Sequence, residues 1–181
     1  RLSEAHPEAI AYLEYQYRMN EDIMSLSNTL VYNNRLRCGT SEVAQKELFV
    51  PSLDKIPKPI ESVSRHWVLE VLDPKKKVLF LNTDAVPAPD SRSGEALYNN
   101  TEATLVHLLV NGLLIAGVHP GSIGVISPYR AQLKIIRHKL GTNSSIEVHT
   151  VDKFQGRDKD CVIISLVRSN ANKNVGELLR D

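Results

Sequence analysis

Ile123-Gly124-Val125-Ile126-Ser127-Pro128-Tyr129-Arg130-Ala131-Gln132 is the stretch on which the fold turns. An uncharged run passes straight into Ser-Pro. Ser127 then occupies a cap position and Pro128 a first helical position, so the pattern predicts a helix over Tyr129–Leu140, closed by Gly141. Beyond it come the apolar runs Ile146–Val151 and Cys161–Val167. With a strand and a helix upstream, the order strand, helix, strand, helix, strand predicts an α/β domain with a parallel sheet. Ile123–Ile126 and Val162–Val167 are apolar at nearly every position, the pattern of strands covered by helices on both faces. Only about ten residues separate Val151 from Val162, which is short for a crossover with a helix of its own.

Upstream, Val78-Leu79-Phe80-Leu81 reads as a short strand, and Thr101–Gly117 has apolar residues at helical spacing. Asn99 and Asn100 offer the cap and Glu102 the first-turn acid. Six prolines between Pro51 and Pro89 predict mostly irregular chain, with 50–77 as a connecting region. The first residue is Arg1 and the last is Asp181, and both ends read as cut.

The chain has 181 residues, 42% hydrophobic and 24% charged, with 9 Gly and 9 Pro. That composition excludes collagenous, disordered and disulfide-stapled classes. Lys and Arg total 22 against 21 acids, so no global basic field announces a nucleic-acid binder and any such surface is local. Cys38 and Cys161 form no CxxC pair, which argues against a zinc site and fits a reducing compartment. Ala103–Val118 is broken by His107, Asn111 and Gly112 and is shorter than the ~20 residues of a membrane span, so no membrane role is expected.

Three segments are candidates for chemistry. In Tyr15-Gln16-Tyr17-Arg18-Met19-Asn20-Glu21-Asp22, Asn20 can cap a helix that opens on two acids, leaving Arg18 just outside the helix. A guanidinium fork matches phosphate oxygens, although pairing with Glu14 or Glu21 is the plain alternative. In the opening stretch, Ser127, Arg130 and the N–H groups of the helix start can grip a nucleic-acid phosphate, or simply make a well-formed helix start. In His149–Asp160, Gly156 allows close approach to a phosphate, Asp158 can accept from a ribose and Thr150 can donate to a nucleic-acid backbone. The alternative is a solvated loop whose charges pair. Lys153, Arg157 and Lys159 alternate with Asp152, Asp158 and Asp160, which disfavours a cation site. No Gly-Lys dipeptide occurs, so the GxxxxGK[ST] phosphate loop is absent from the chain, as are GxSxG and HExxH.

Together QYRMN, ISPYRAQ and HTVDKFQGRDKD resemble the motifs of superfamily 1 helicases of the 5′-to-3′ subgroup, in their second RecA-like motor domain, the half without the phosphate loop. The longer stretches QYRMNEDIMSLSNTLVYNN and VDKFQGRDKDCVIISLVRSN are similar to the eukaryotic helicase/nucleases of DNA replication. The resemblance implies an α/β, RecA-like parallel sheet with flanking helices over 1–181, incomplete at its C-terminal end. It implies Arg18 as the γ-phosphate arginine, Tyr17 stacking on adenine, and Gln155 and Gly156 touching nucleotide and DNA. Asp158 would bind ribose, and Ser127, Arg130 and Thr150 the single-stranded DNA backbone. It further implies ATP with Mg2+, shared with a first RecA-like domain of the same parent chain. An iron–sulfur cluster would belong only to a nuclease domain elsewhere, the location would be the nucleus and also the mitochondrion, and this chain alone would hydrolyse no ATP. An RNA-directed superfamily 1 helicase domain and a catalytically inert α/β interaction module stay open, because backbone and stacking contacts do not separate the sugars.

Overall fold

A computed structural model describes residues 6–56, 64–141 and 145–176. The chain divides into two compact units, Arg1–Glu47 and Leu48–Asp181.

In the first unit, β1 (Tyr15–Gln16) pairs in parallel with β2 (Arg37–Cys38), Gln16 opposite Cys38. Helix α1 (Glu21–Leu30) connects them and begins at Asn20, whose Oδ1 accepts from the Ile23 N–H at 3.0 Å. The chain turns back through Asn33 and Asn34, both left-handed, as short polar side chains allow. Buried Asn28 fixes the return: its amide donates to the Leu36 carbonyl and accepts from the Leu36 N–H. A one-turn helix, α2 (Ser41–Ala44), follows the Thr40 cap.

The second unit holds α3 (Ser64–Val71), the hairpin β3 (Ser91–Ser93) and β4 (Ala96–Tyr98), and α4 (Asn100–Ile115). There follow β5 (Ile123–Ile126), α5 (Arg130–Leu140), β6 (Glu147–His149), α6 (Val151–Phe154) and β7 (Cys161–Ile164). The last three strands form one parallel sheet in the order β6-β5-β7. This is the α/β architecture the resemblance predicts. Val106, Val110 and Leu113 of α4 and Leu133 and Ile136 of α5 pack with Ile123 and Val125 into the core. Burying one such side chain contributes about 1.5–3 kcal/mol. Asn99 caps α4 as expected, accepting from the Glu102 N–H. Paired bonds from Gly117 to Leu114 and from Val118 to Leu113 close it, with Gly117 at φ +87. No described helix is long and apolar enough to cross a membrane.

Several expectations are corrected. Val78–Leu81 forms no strand, and its four side chains lie exposed. Region 50–77, expected to be mostly irregular, contains α3, whose Trp67 and Val68 pack on the core. The expected Cys161–Val167 strand ends at Ile164, and β7 is an edge strand with alternating burial, Ile164 being 60% exposed. Coverage on both faces therefore holds for central β5 but not for β7. Helix α5 starts at Arg130 with Tyr129 as its cap, so Ser127 and Pro128 lie before the helix. The short crossover resolves because β6 and β7 flank β5, and the connection needs only the single turn α6.

Candidate functional site

In the first unit Gln16 shapes the bend that carries Tyr17 and Arg18. Its Oε1 accepts from the Arg18 N–H at 2.9 Å and the Met19 N–H at 2.8 Å, while its Nε2 donates to the Met19 carbonyl at 2.7 Å. The same Nε2 lies 3.1 Å from Cys38 Sγ on β2. One side chain thus closes a three-residue turn, and the turn delivers Tyr17 and Arg18 to solvent, Tyr17 being 67% exposed. The Tyr17 ring crosses Gly39, where a Cβ would stand 2.0 Å from its Cε1. Only glycine fits beneath that ring. Asn20 Nδ2 donates to the Lys46 carbonyl, tying the cap to the far end of the unit.

In the second unit the register sets Ile126 beside His149 and beside Ile164. Ser127, Thr150 and Ser165 therefore follow neighbouring strand ends on one edge of the sheet, where ligands of open α/β sheets gather. Ser127 is fully buried. Its hydroxyl accepts from the Tyr129 N–H at 3.3 Å and its N–H donates to the His149 carbonyl. This corrects the picture of a hydroxyl offered outward: it shapes the turn that presents exposed Arg130. Thr150 is half-buried at the cap of α6, and its side chain makes no capping bond.

Beyond α6, Gln155, Gly156 and Asp158 are exposed. Gly156 has φ +80 with open space around its missing Cβ, so the backbone conformation, not crowding, selects glycine. The loop's cations reach back to Glu147 on β6: Arg157 at 2.6 Å and Lys159 at 2.8 Å, with Lys159 also donating to the Gly121 carbonyl. Lys159 first, then Arg157, holds the Glu147 carboxyl below its ordinary range. Burial, followed by the Arg157 charge, lowers the His149 pKa although Glu147 opposes this. The loop rests on the sheet through Phe154, whose Cζ would stand 2.4 Å from a Cβ at Gly124. Cys161, opening β7, has its thiol pushed up to about 11 by burial and Asp160, which leaves it a poor nucleophile.

Sequence reasoning passed over a buried polar network beneath this edge. Gln132 Oε1 accepts from the Asn99 N–H, and its Nε2 donates to the Asn99 carbonyl and to Ser165 Oγ. The Ser165 hydroxyl donates to Glu102 Oε2 at 2.6 Å, and the Val167 N–H donates to the same oxygen at 2.9 Å. Past Val167, Arg168 pairs with Asp90 at 3.2 Å, both being nearly buried. The available signal was Gln132 itself, a polar residue beside Leu133 on the core stripe of α5.

A family profile described as an AAA domain matches residues 1–181, the whole chain. The chain belongs to this AAA domain family. Among curated proteins it is similar to the DNA replication ATP-dependent helicase/nuclease of Schizosaccharomyces pombe, 46% identical over 183 residues. The alignment covers 99% of this chain and 13% of that protein. The Mus musculus protein of the same name is 44% identical, covering 98% of this chain and 17% of its own length. The Arabidopsis thaliana protein is 44% identical over 169 residues, covering 93% of this chain and 12% of its own. The chain thus spans well under a fifth of the relatives it matches.

In this AAA domain the eight residues singled out from sequence fall into two groups. Tyr17 and Arg18 share the Gln16 bend of the first unit. Ser127, Arg130, Thr150, Gln155, Gly156 and Asp158 follow β5 and β6 in the second.

Proposed function

We propose that this AAA domain is half of an ATP-dependent 5′-to-3′ DNA helicase motor, the second RecA-like domain of a helicase/nuclease that acts in DNA replication and repair. The observation that carries this reading is near-complete coverage of the chain by relatives named as DNA replication ATP-dependent helicase/nucleases. Location in the nucleus, and also the mitochondrion, goes with it.

Arg18 meets the γ-phosphate and neutralises charge in the transition state, while Tyr17 stacks on adenine. Phosphoryl transfer asks mainly for positioning and charge stabilisation, which suits an exposed guanidinium on a closed turn. Asp158 accepts from the ribose, and Gln155 and Gly156 bring backbone close to the nucleotide. At the sheet edge Arg130 and Thr150 hold the single-stranded DNA backbone, and Ser127 sets the turn between them. Closure against a first RecA-like domain of the same parent chain couples hydrolysis to movement along the strand. Mg2+ enters with ATP: among the described residues no group of three or more His, Cys, Asp or Glu could hold a metal ion. None of the steps assigned here to this chain's residues runs through a metal.

ATP turnover of the full-length protein, measured with and without single-stranded DNA, tests the reading. Stimulation by DNA is expected, as is no turnover by residues 1–181 alone, which contain no GxxxxGK[ST] loop. Turnover by the isolated chain, or a parent enzyme indifferent to single-stranded DNA, would overturn it.

A further inference from the structure

Val167 lies just past β7 at φ +72, and it is the one β-branched residue with a left-handed backbone among the described residues. The Arg168 N–H donates to the Leu166 carbonyl at 2.8 Å, closing a three-residue turn with Val167 at its centre. This is the strained hand of the γ-turn, which persists only where surrounding contacts over-determine it. Here both backbone polar groups of Val167 are held by side chains from the head of α4. Its N–H donates to Glu102 Oε2 at 2.9 Å, and its carbonyl accepts from Asn99 Nδ2 at 3.1 Å. The Val167 side chain is wholly buried.

Glu102 also reaches the sheet edge. The hydroxyl it accepts belongs to Ser165, whose N–H donates to the carbonyl of Ile126, the residue before Ser127. Ser165 Oγ in turn accepts from Gln132 on α5, the helix that opens with Arg130. We propose that Glu102 is a positioning residue for the nucleic-acid edge of the sheet, fixing the exit of β7 against the head of α5 by holding Val167 in its left-handed turn. Without the carboxylate, Val167 returns to an ordinary backbone conformation, the exit of β7 shifts and Arg130 loses its setting. The inference rests on the proposed motor function.

The experiment uses the full-length protein with a single-stranded oligonucleotide as probe. It records the DNA concentration for half-maximal ATP turnover, the KM for ATP and the thermal midpoint. Glu102→Ala is expected to raise the half-maximal DNA concentration about tenfold, a typical coupling for residues in one network, with the KM for ATP changed less than twofold. Glu102→Gln, which keeps an acceptor oxygen, stays near wild type. Adding Val167→Gly to Glu102→Ala recovers most of the loss, because glycine adopts the turn without help. A purely packing role for Glu102 has no reason to be rescued by a smaller residue at position 167. An unchanged DNA requirement in Glu102→Ala, or a double variant no better than the single one, overturns the proposal. Should Glu102→Ala not fold, Ser165→Ala replaces it: a roughly threefold rise in DNA requirement supports the proposal, and no change overturns it. Wild-type protein without DNA-stimulated turnover refutes the motor function instead.

Discussion

The two units solve the same problem, holding a polar group in place, by opposite means. In the first unit Gln16 closes a turn so that Tyr17 and Arg18 stand in solvent. In the second, Gln132, Asn99 and Ser165 are themselves buried, and Gln132 joins the Asn99 backbone to the Ser165 hydroxyl. The first arrangement loses little stability if its charged group is removed, because an exposed cation contributes little to folding. The second loses much, because each orphaned buried donor or acceptor costs about 1–3 kcal/mol. On the proposed function the contrast separates residues that meet a ligand from residues that hold the scaffold, and substitutions can break it.

Arg18→Ala carries the largest expected effect. In the full-length protein it is expected to lower kcat about 10³-fold or more while the thermal midpoint stays put, since in the proposed role the charge acts on the transferring phosphoryl group and not on the fold. Steady-state ATP turnover beside a melting curve checks both halves. A tenfold loss or less would return Arg18 to an ordinary surface ion pair. Gln132→Leu is the mirror case. It keeps the volume but orphans the Asn99 N–H, while the Asn99 carbonyl keeps the Ala103 N–H, costing about 1–3 kcal/mol in urea melts. A loss below about 1 kcal/mol would mean that the network closes without its central amide.

Between these extremes lie residues that position without touching a ligand. Gln16→Ala opens the bend and is expected to lower kcat about 10- to 100-fold, the range that small misplacements of a reacting group produce. Its stability loss is about 1 kcal/mol. Gly39→Ala forces the Tyr17 ring aside, since the new Cβ would stand 2.0 Å from Cε1. In the proposed role Tyr17 stacks on adenine alike in ground and transition states, so KM for ATP is expected to rise while kcat holds. A fall in kcat with unchanged KM would remove Tyr17 from the adenine.

These positions also mark what the sequence made legible. Periodicity and caps placed α4, α5 and β5, because Asn99, Gly141 and the run Ile123–Ile126 act locally and their neighbours agree with them. Val78–Leu81 misled because an apolar run records hydrophobicity, not the presence of a strand to pair with. The end of β7 was misread for a related reason. Leu166 and Val167 look like strand, yet the side chains that bend them away, Asn99 and Glu102, lie more than sixty residues upstream. The setting of Arg18 just before a capped helix was legible, because Asn20 acts locally. That of Gly39 was not, because nothing in the local sequence says that the Tyr17 ring crosses it.

The smallest expected effect concerns pH, and it tests how the β6–β7 loop is anchored. Glu147 has a lowered pKa because Lys159 and Arg157 favour its charged form. The folded state therefore releases that proton more readily than the unfolded chain does. The resulting stability is complete above the ordinary value of 4.5 and is lost as pH falls through the lowered one. His149 is lowered as well, chiefly by burial, so the folded state also binds its proton less readily than the unfolded chain. Acidification from pH 7 through 6.5 and below thus costs stability first through His149, then through Glu147, with the same sign. Urea midpoints followed from pH 8 down to about pH 3 should fall in both windows. His149→Gln removes the upper decline and Glu147→Gln the lower one. The Glu147 carboxylate lies 3.9 Å from His149 Nε2 and opposes the effect of burial. Were that attraction stronger than burial, the midpoint would rise on going from pH 7 to 6 and Glu147→Gln would abolish the rise. The sign of the upper window therefore decides whether β6 treats His149 as a neutral core residue or as the fourth member of the Glu147 charge cluster.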